Sequence, residues 1–202
     1  MIKAVFLTKQ GRVDVHPSIY FLASIVKEPT TQYWMKLLSV LSYTNCTRYA
    51  VLNLEVDDEQ ILYWYVDAAF AVHADMKIHT GSTFSLGKVM IVADFTKQKV
   101  NARSLTKSEL IGVNDRISKI LWTRLFLECQ GFKVKANIIY QDNTRKMKTQ
   151  KNGKASSGNR TQHYDIKYFY VTYLIGRDEV QVIYCPTNNM LGNYMNKPLV
   201  ES

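Results

Sequence analysis

Three carboxylates carry the chemical interest of this chain. Asp67 ends an apolar run, Glu109 opens an amphipathic helical pattern, and Asp142 ends a second apolar run. All-oxygen donors attract hard divalent cations, and a cation held between carboxylates suits phosphodiester hydrolysis. Each acid also has an ordinary use. Asp67 fits a strand-end turn, Asp142-Asn143 fits a helix N-cap, and Thr106-x-x-Glu109 fits a capping box. The set as a whole favours chemistry, because three acids at the ends of neighbouring elements repel one another unless a cation neutralises them.

The elements that must hold these acids can be read from periodicity. Asp14 with His16-Pro17-Ser18 opens a helix carrying Ile19, Leu22, Ala23, Ile25 and Val26, which Pro29 is expected to stop. Thr31 begins a second helix with Trp34, Leu37, Leu38 and Leu41 on one stripe. Tyr49 to Val56 alternates loosely, as the start of a sheet would, and Asp57-Asp58-Glu59 reads as a turn. Ile61 to Val66 is an aromatic and β-branched strand that delivers Asp67 at its end. Residues 81–86 and 89–95 form two further strands joined at Gly87-Lys88, in an antiparallel meander with the first.

From Thr106 to about Cys129 the period becomes helical, with Leu110, Val113, Ile117, Ile120, Leu121, Leu125 and Phe126 on one face and Gly131 as the stop. A strand over 134–140, a short helix over 143–150, a helix over 162–175, a strand over 180–184 and a final helix over 188–195 complete the pattern. The fold class expected is α/β, a mixed sheet flanked by helices. Trp34, Trp64 and Trp122 are expected in the core, and His73 and His79 in a loop.

Composition narrows the partners. The chain has 202 residues, 47% of them hydrophobic, enough for a sizeable core. Twenty-six Lys+Arg against 17 Asp+Glu leave a formal +9, which favours a polyanion; nucleic acid is preferred to membrane, because no apolar run approaches the length of a bilayer span. The segment Lys148 to Arg160 is polar and small, and from Arg145 to Lys167 there are seven Lys/Arg against one acid, Asp165. Such a run beside a carboxylate cluster can guide a phosphate backbone; a solvated surface loop is its plain alternative. Cys46, Cys129 and Cys185 have no metal-ligand spacing, so free thiols in an intracellular compartment, cytoplasm or nucleus, are expected.

At this point a resemblance becomes specific. Tyr65-Val66-Asp67-Ala68, Lys97-Gln98-Lys99 with Thr106-Lys107-Ser108-Glu109-Leu110, Tyr140-Gln141-Asp142-Asn143, and Tyr184-Cys185-Pro186-Thr187 closing with Asn196-Lys197-Pro198-Leu199 resemble, in order, the ribonuclease H domain of copia-type retrotransposon polyproteins. Upstream, Gly11-Arg12-Val13-Asp14-Val15, Val26-Lys27-Glu28-Pro29 and Tyr33-Trp34-Met35-Lys36-Leu37 are similar to the helices joining reverse transcriptase to that domain. The resemblance implies two units, a helical connection segment over 1–58 and a ribonuclease H-like domain over 59–199.

It implies a five-stranded mixed sheet with helices on both faces, and cleavage of RNA in RNA/DNA hybrids by two Mg²⁺ (or Mn²⁺) ions. By position, Asp67 would bridge both ions, Glu109 and Asp142 would complete one, and the fourth acid of the family corresponds to Asn193, whose amide brings no charge. Lys107 and Asn196 also depart from the family pattern. Nucleic-acid contacts are expected from Lys97, Lys99, Arg145, Lys146, Lys148, Lys151, Arg160 and His163, although a plain surface position is the preferred reading for His163. A catalytically silent remnant that binds nucleic acid through these residues is the alternative. Val56-Asp57-Asp58 lacks the tyrosine of a polymerase motif, so no reverse transcriptase activity is expected.

Overall fold

A computed structural model describes residues 1–57, 60–69, 79–97, 105–142 and 165–193, with the backbone alone at 69, 97, 105–110 and 165–169. Five strands form one sheet: β1 (Ile61–Ala69), β2 (His79–Ser85), β3 (Met90–Lys97), β4 (Ala136–Gln141) and β5 (Gln181–Tyr184). Their order is β3-β2-β1-β4-β5. The β1-β2 and β2-β3 pairs are antiparallel, whereas β1-β4 and β4-β5 are parallel. This is the mixed sheet expected from the sequence, with β1 at its centre.

Alternation along β1 explains how it is buried. Leu62, Trp64 and Val66 point one way and are each at most 3% exposed, while Tyr63 and Tyr65 are only half-buried. Trp64 stacks on its cross-strand partner Phe84, with ring centroids 4.7 Å apart. Across this face lies α4 (Leu105–Cys129), whose Val113, Ile117 and Ile120 follow the spacing of one helical stripe. Val171 and Leu174 of α5 (Asp165–Gly176) complete the same core with Ile139, Val180 and Val182. Gly131 ends the helical segment with φ +92°, a conformation that favours glycine, and the Phe132 amide donates back to the Leu127 carbonyl.

The amino-terminal part is more helical than expected. An unforeseen α1 (Ile2–Lys9) precedes a 3₁₀ turn at Val13–Val15 and α2 (His16–Ser24); α3 (Thr31–Cys46) begins where expected, capped by the Thr30 hydroxyl. Pro17 near the start of α2 fits its fixed φ, but α2 stops at Ser24, well before Pro29. Val13 packs on Ala93 and Met90, on the sheet face opposite Val92, so helices cover both faces. His16, Ile19 and Leu22 are buried in this layer. By contrast α3 buries none of its residues.

Several expectations need correction. Residues 49–56 form no strand; the segment contributes one isolated bridge, Val56 to Gly87. β1 continues past Asp67 to Ala69, so Asp67 is paired with Gly81 inside the strand and does not end it. Thr106 lies inside α4 and Glu109 is its fifth residue, which leaves the capping-box geometry unused. Trp34 and Trp122 are 58% and 61% exposed, and only Trp64 belongs to the core. Leu125 and Phe126 are likewise exposed. Leu127, beyond them in sequence, packs on the core, so at about 100° per residue the buried stripe runs through Val113, Ile117, Ile120 and Leu127 and leaves Leu125 and Phe126 off it. His79 opens β2, buried and stacked on Phe95, and is not a loop residue. Of the helix expected over 188–195, the described residues show a 3₁₀ turn at Thr187–Asn189 and a helical Asn193, and residues 194–195 lie outside them.

Candidate active site

The parallel pairing of β1 with β4 carries two of the acids toward one end of the sheet. Tyr65 is registered with Tyr140, and two residues further along each chain stand Asp67 and Asp142. Asp67 falls on the same side of β1 as Tyr65, and Asp142 is the first residue after β4. The tyrosine rings mark that side: Tyr65 and Tyr140 stack with centroids 4.9 Å apart, and Tyr63 lies 6.2 Å from Tyr140. Burial, reinforced by Tyr140, pushes the Tyr65 hydroxyl up to about 12, so it stays neutral at any physiological pH. Asp67 is 5% exposed and Asp142 is half-buried.

A third segment closes on Asp67 from the end of β5. The Cys185 amide donates to the Gln141 carbonyl at 2.8 Å, extending the β4-β5 ladder by one step. Cys185 is buried, and burial, with the negative charge of Asp142, raises its thiol above the ordinary range. After the 3₁₀ turn, Met190 is 1% exposed and anchors the chain in the interior. Gly192 then meets β1 so closely that a Cβ there would stand 3.3 Å from the Asp67 Cβ and 3.4 Å from its amide nitrogen. Asn193 follows directly, and its Nδ2 donates to the Thr187 carbonyl at 2.9 Å.

Asp67, Asp142 and Asn193 are therefore brought to one end of the sheet. The backbone of Glu109 lies in the second turn of α4; its side chain is outside the described residues. Among the described residues no group of three or more His, Cys, Asp or Glu converges as a metal cluster. The donors that are described, two carboxylates and an amide, are all-oxygen and suit a hard divalent cation. Of the expected nucleic-acid contacts, Lys97 ends β3 with its side chain undescribed, and Lys99, Arg145, Lys146, Lys148, Lys151, Arg160 and His163 lie outside the described residues. The same holds for the short helix expected over 143–150.

Two participants were not singled out from the sequence. Gly192 is visible only as an isolated glycine, and nothing local shows that β1 lies against it. Gln141 is 2% exposed, and its Oε1 has no hydrogen-bond partner among the described residues, one position before Asp142. A buried, strand-borne amide beside an acid is the signal that could have drawn attention to it.

A second charged cluster, away from these acids, ties α4 to β3. Arg116 is buried and bonds the Thr96 hydroxyl, and Asp94 pairs with both Lys119 and, at 3.8 Å, Arg116. Burial lowers the Arg116 guanidinium, opposed by Asp94 and Asp115. These contacts belong to packing. No helix among the described residues is long and apolar enough to cross a membrane.

No protein-family model matches the chain. It is 25% identical over 187 residues to the retrovirus-related Pol polyprotein from transposon TNT 1-94 of Nicotiana tabacum, across 92% of this chain. The chain spans 14% of that polyprotein's length. Among solved structures, LC11-RNase H1, isolated from compost by a metagenomic approach, is 9% identical with a TM-score of 0.49, covering 67% of this chain and 92% of that one. RNase H1 of the halophilic archaeon Halobacterium salinarum is 12% identical with a TM-score of 0.43, covering 65% and 90%. The foamy viral protease-reverse transcriptase in complex with RNA/DNA hybrid is 11% identical with a TM-score of 0.48, covering 84% of this chain and 26% of that one.

Proposed function

We propose that this chain, a relative of retrotransposon Pol polyproteins with a ribonuclease H-like fold, is the ribonuclease H domain of a copia-type element and cuts the RNA strand of RNA/DNA hybrids with the help of Mg²⁺ or Mn²⁺. The observation that supports the reading is the β1-β4 pairing, which carries Asp67 and Asp142 toward the sheet end that Gly192 and Asn193 also reach. Asp67, Glu109 and Asp142 would hold the metal, and Asn193 stands at the fourth position. A divalent cation bound there supplies activation of the attacking water and stabilisation of the leaving 3′ oxygen.

The chain's own residues prepare that site. Burial of Asp67 keeps water from competing for its oxygens, which strengthens its hold on a cation. Tyr65, held neutral, adds no further negative charge beside the acids. The basic run from Arg145 to Lys167 would hold the phosphate backbone, and its share of binding should weaken as salt rises. Residues 1–58 would be the connection that follows a polymerase region.

The test is cleavage of an end-labelled RNA/DNA hybrid by the purified chain under Mg²⁺ or Mn²⁺ titration. Metal-dependent cutting of the RNA strand that Asp142→Asn lowers at least about 100-fold is the expected result. Tight hybrid binding with no cutting at any metal concentration would reject the enzyme.

A further inference from the structure

We propose that Asn193 serves the Asp67 site as a positioning residue, latching the 187–193 turn so that Gly192 rests on β1 and fixes the seat of the Asp67 carboxylate. This deepens the metal-site reading above and rests on it. The turn is closed by four donations: the Asn189 amide to the Pro186 carbonyl at 2.8 Å, the Met190 amide to the Thr187 carbonyl at 3.3 Å, the Asn193 amide to the Met190 carbonyl at 3.0 Å, and Asn193 Nδ2 to the Thr187 carbonyl at 2.9 Å. The last is the one that a side chain supplies. It ties the two ends of the turn together at the residue next to Gly192.

The chemistry of that bond discriminates between an amide and an acid. Thr187 presents a carbonyl, an acceptor only, so its partner must donate. Asparagine donates through Nδ2, whereas an ionised aspartate at 193 carries no proton and would set a negative oxygen against the carbonyl. The bond then breaks, and the turn that presses Gly192 to within van der Waals reach of Asp67 loses its closure. An acid at this position in this chain therefore loosens Asp67 instead of adding a working ligand.

Two measurements on the full chain decide this, with Asn193→Asp, Asn193→Ala and Asn193→Ser compared with the wild type. The Asp67 amide cross-peak in ¹H–¹⁵N spectra should shift in both the Asp and Ala variants and return toward its original position in the Ser variant, which keeps a donor. Mg²⁺ affinity, measured by calorimetry at pH 7, should fall by about fivefold in the Asp and Ala variants alike, the effect of one lost hydrogen bond.

The proposal is overturned if Asn193→Asp tightens Mg²⁺ binding, or if the Asp67 cross-peak stays in place in the Asp and Ala variants. Should the wild type bind no Mg²⁺, the metal-site reading fails, and the cross-peak still decides the latch.

Discussion

Replacing Asp67 with Asn should make the chain more stable in the absence of metal and indifferent to its addition. The carboxylate is 5% exposed, and in the proposed site Asp142 stands alongside it. Neighbouring strands lie about 4.8 Å apart, so two carboxylate charges roughly 6 Å apart repel by about 3 kcal/mol at an effective dielectric of about 20. Asp142 is half-buried, and water reaching it screens part of this, leaving a gain of about 1–2 kcal/mol for the neutral amide. In the wild type a bound cation removes the same repulsion. With a Kd of about 1 mM, 10 mM MgCl₂ stabilises the folded chain by about 1.4 kcal/mol.

The assay is urea unfolding followed by circular dichroism, in EDTA and in 10 mM MgCl₂. Asp67→Asn should raise the midpoint in EDTA and abolish the MgCl₂ increment. A variant that is destabilised in EDTA by more than about 1 kcal/mol, or that gains from MgCl₂ as much as the wild type, refutes the reasoning, since the acids would then not share a field.

The other predictions concern the framework. Burial lowers the His16 imidazole below its ordinary value, Lys9, Lys119 and Arg116 reinforcing the effect and Asp94 opposing it. The unfolded chain therefore takes up the proton first as pH falls below about 6.5, and stability that is complete above that value declines by up to about 1.4 kcal/mol per pH unit. His16→Phe should flatten this decline in a series of urea midpoints between pH 5 and 7; identical slopes would show that His16 does not cause it. Trp64→Ala should cost about 3–5 kcal/mol and Trp122→Ala under about 0.5 kcal/mol, because the first ring is 1% exposed and the second 61%. Comparable losses in denaturant titrations would contradict that division.

The local elements were legible because their signals are local. The aromatic and β-branched run from Ile61 to Val66 marked β1, the spacing of Val113, Ile117 and Ile120 marked α4, and Gly131 marked its end. Phase and cover misled. Leu125 and Phe126 fall off the stripe that runs from Val113 through Ile117 and Ile120 to Leu127, and Trp34 keeps its apolar stripe on a helix that buries nothing. Periodicity reports which residues share a face and cannot report whether anything covers it.

For the site, residue types alone determined that Asp67, Glu109 and Asp142 were the acids worth following, since a carboxylate beside an apolar run is chemically conspicuous wherever the chain goes. Only the tertiary structure decided that Asp67 lies inside β1 and that Asp142 follows the strand paired in parallel beside it, because parallel register is set by side-chain packing between strands far apart in sequence. The same applies to the turn that returns to Asp67. Leu191, Gly192 and Asn193 read as part of a final helix, with Asn193 marked only by family resemblance, until Met190 is buried and the chain is drawn onto β1, where the missing Cβ and the donating amide acquire their meaning.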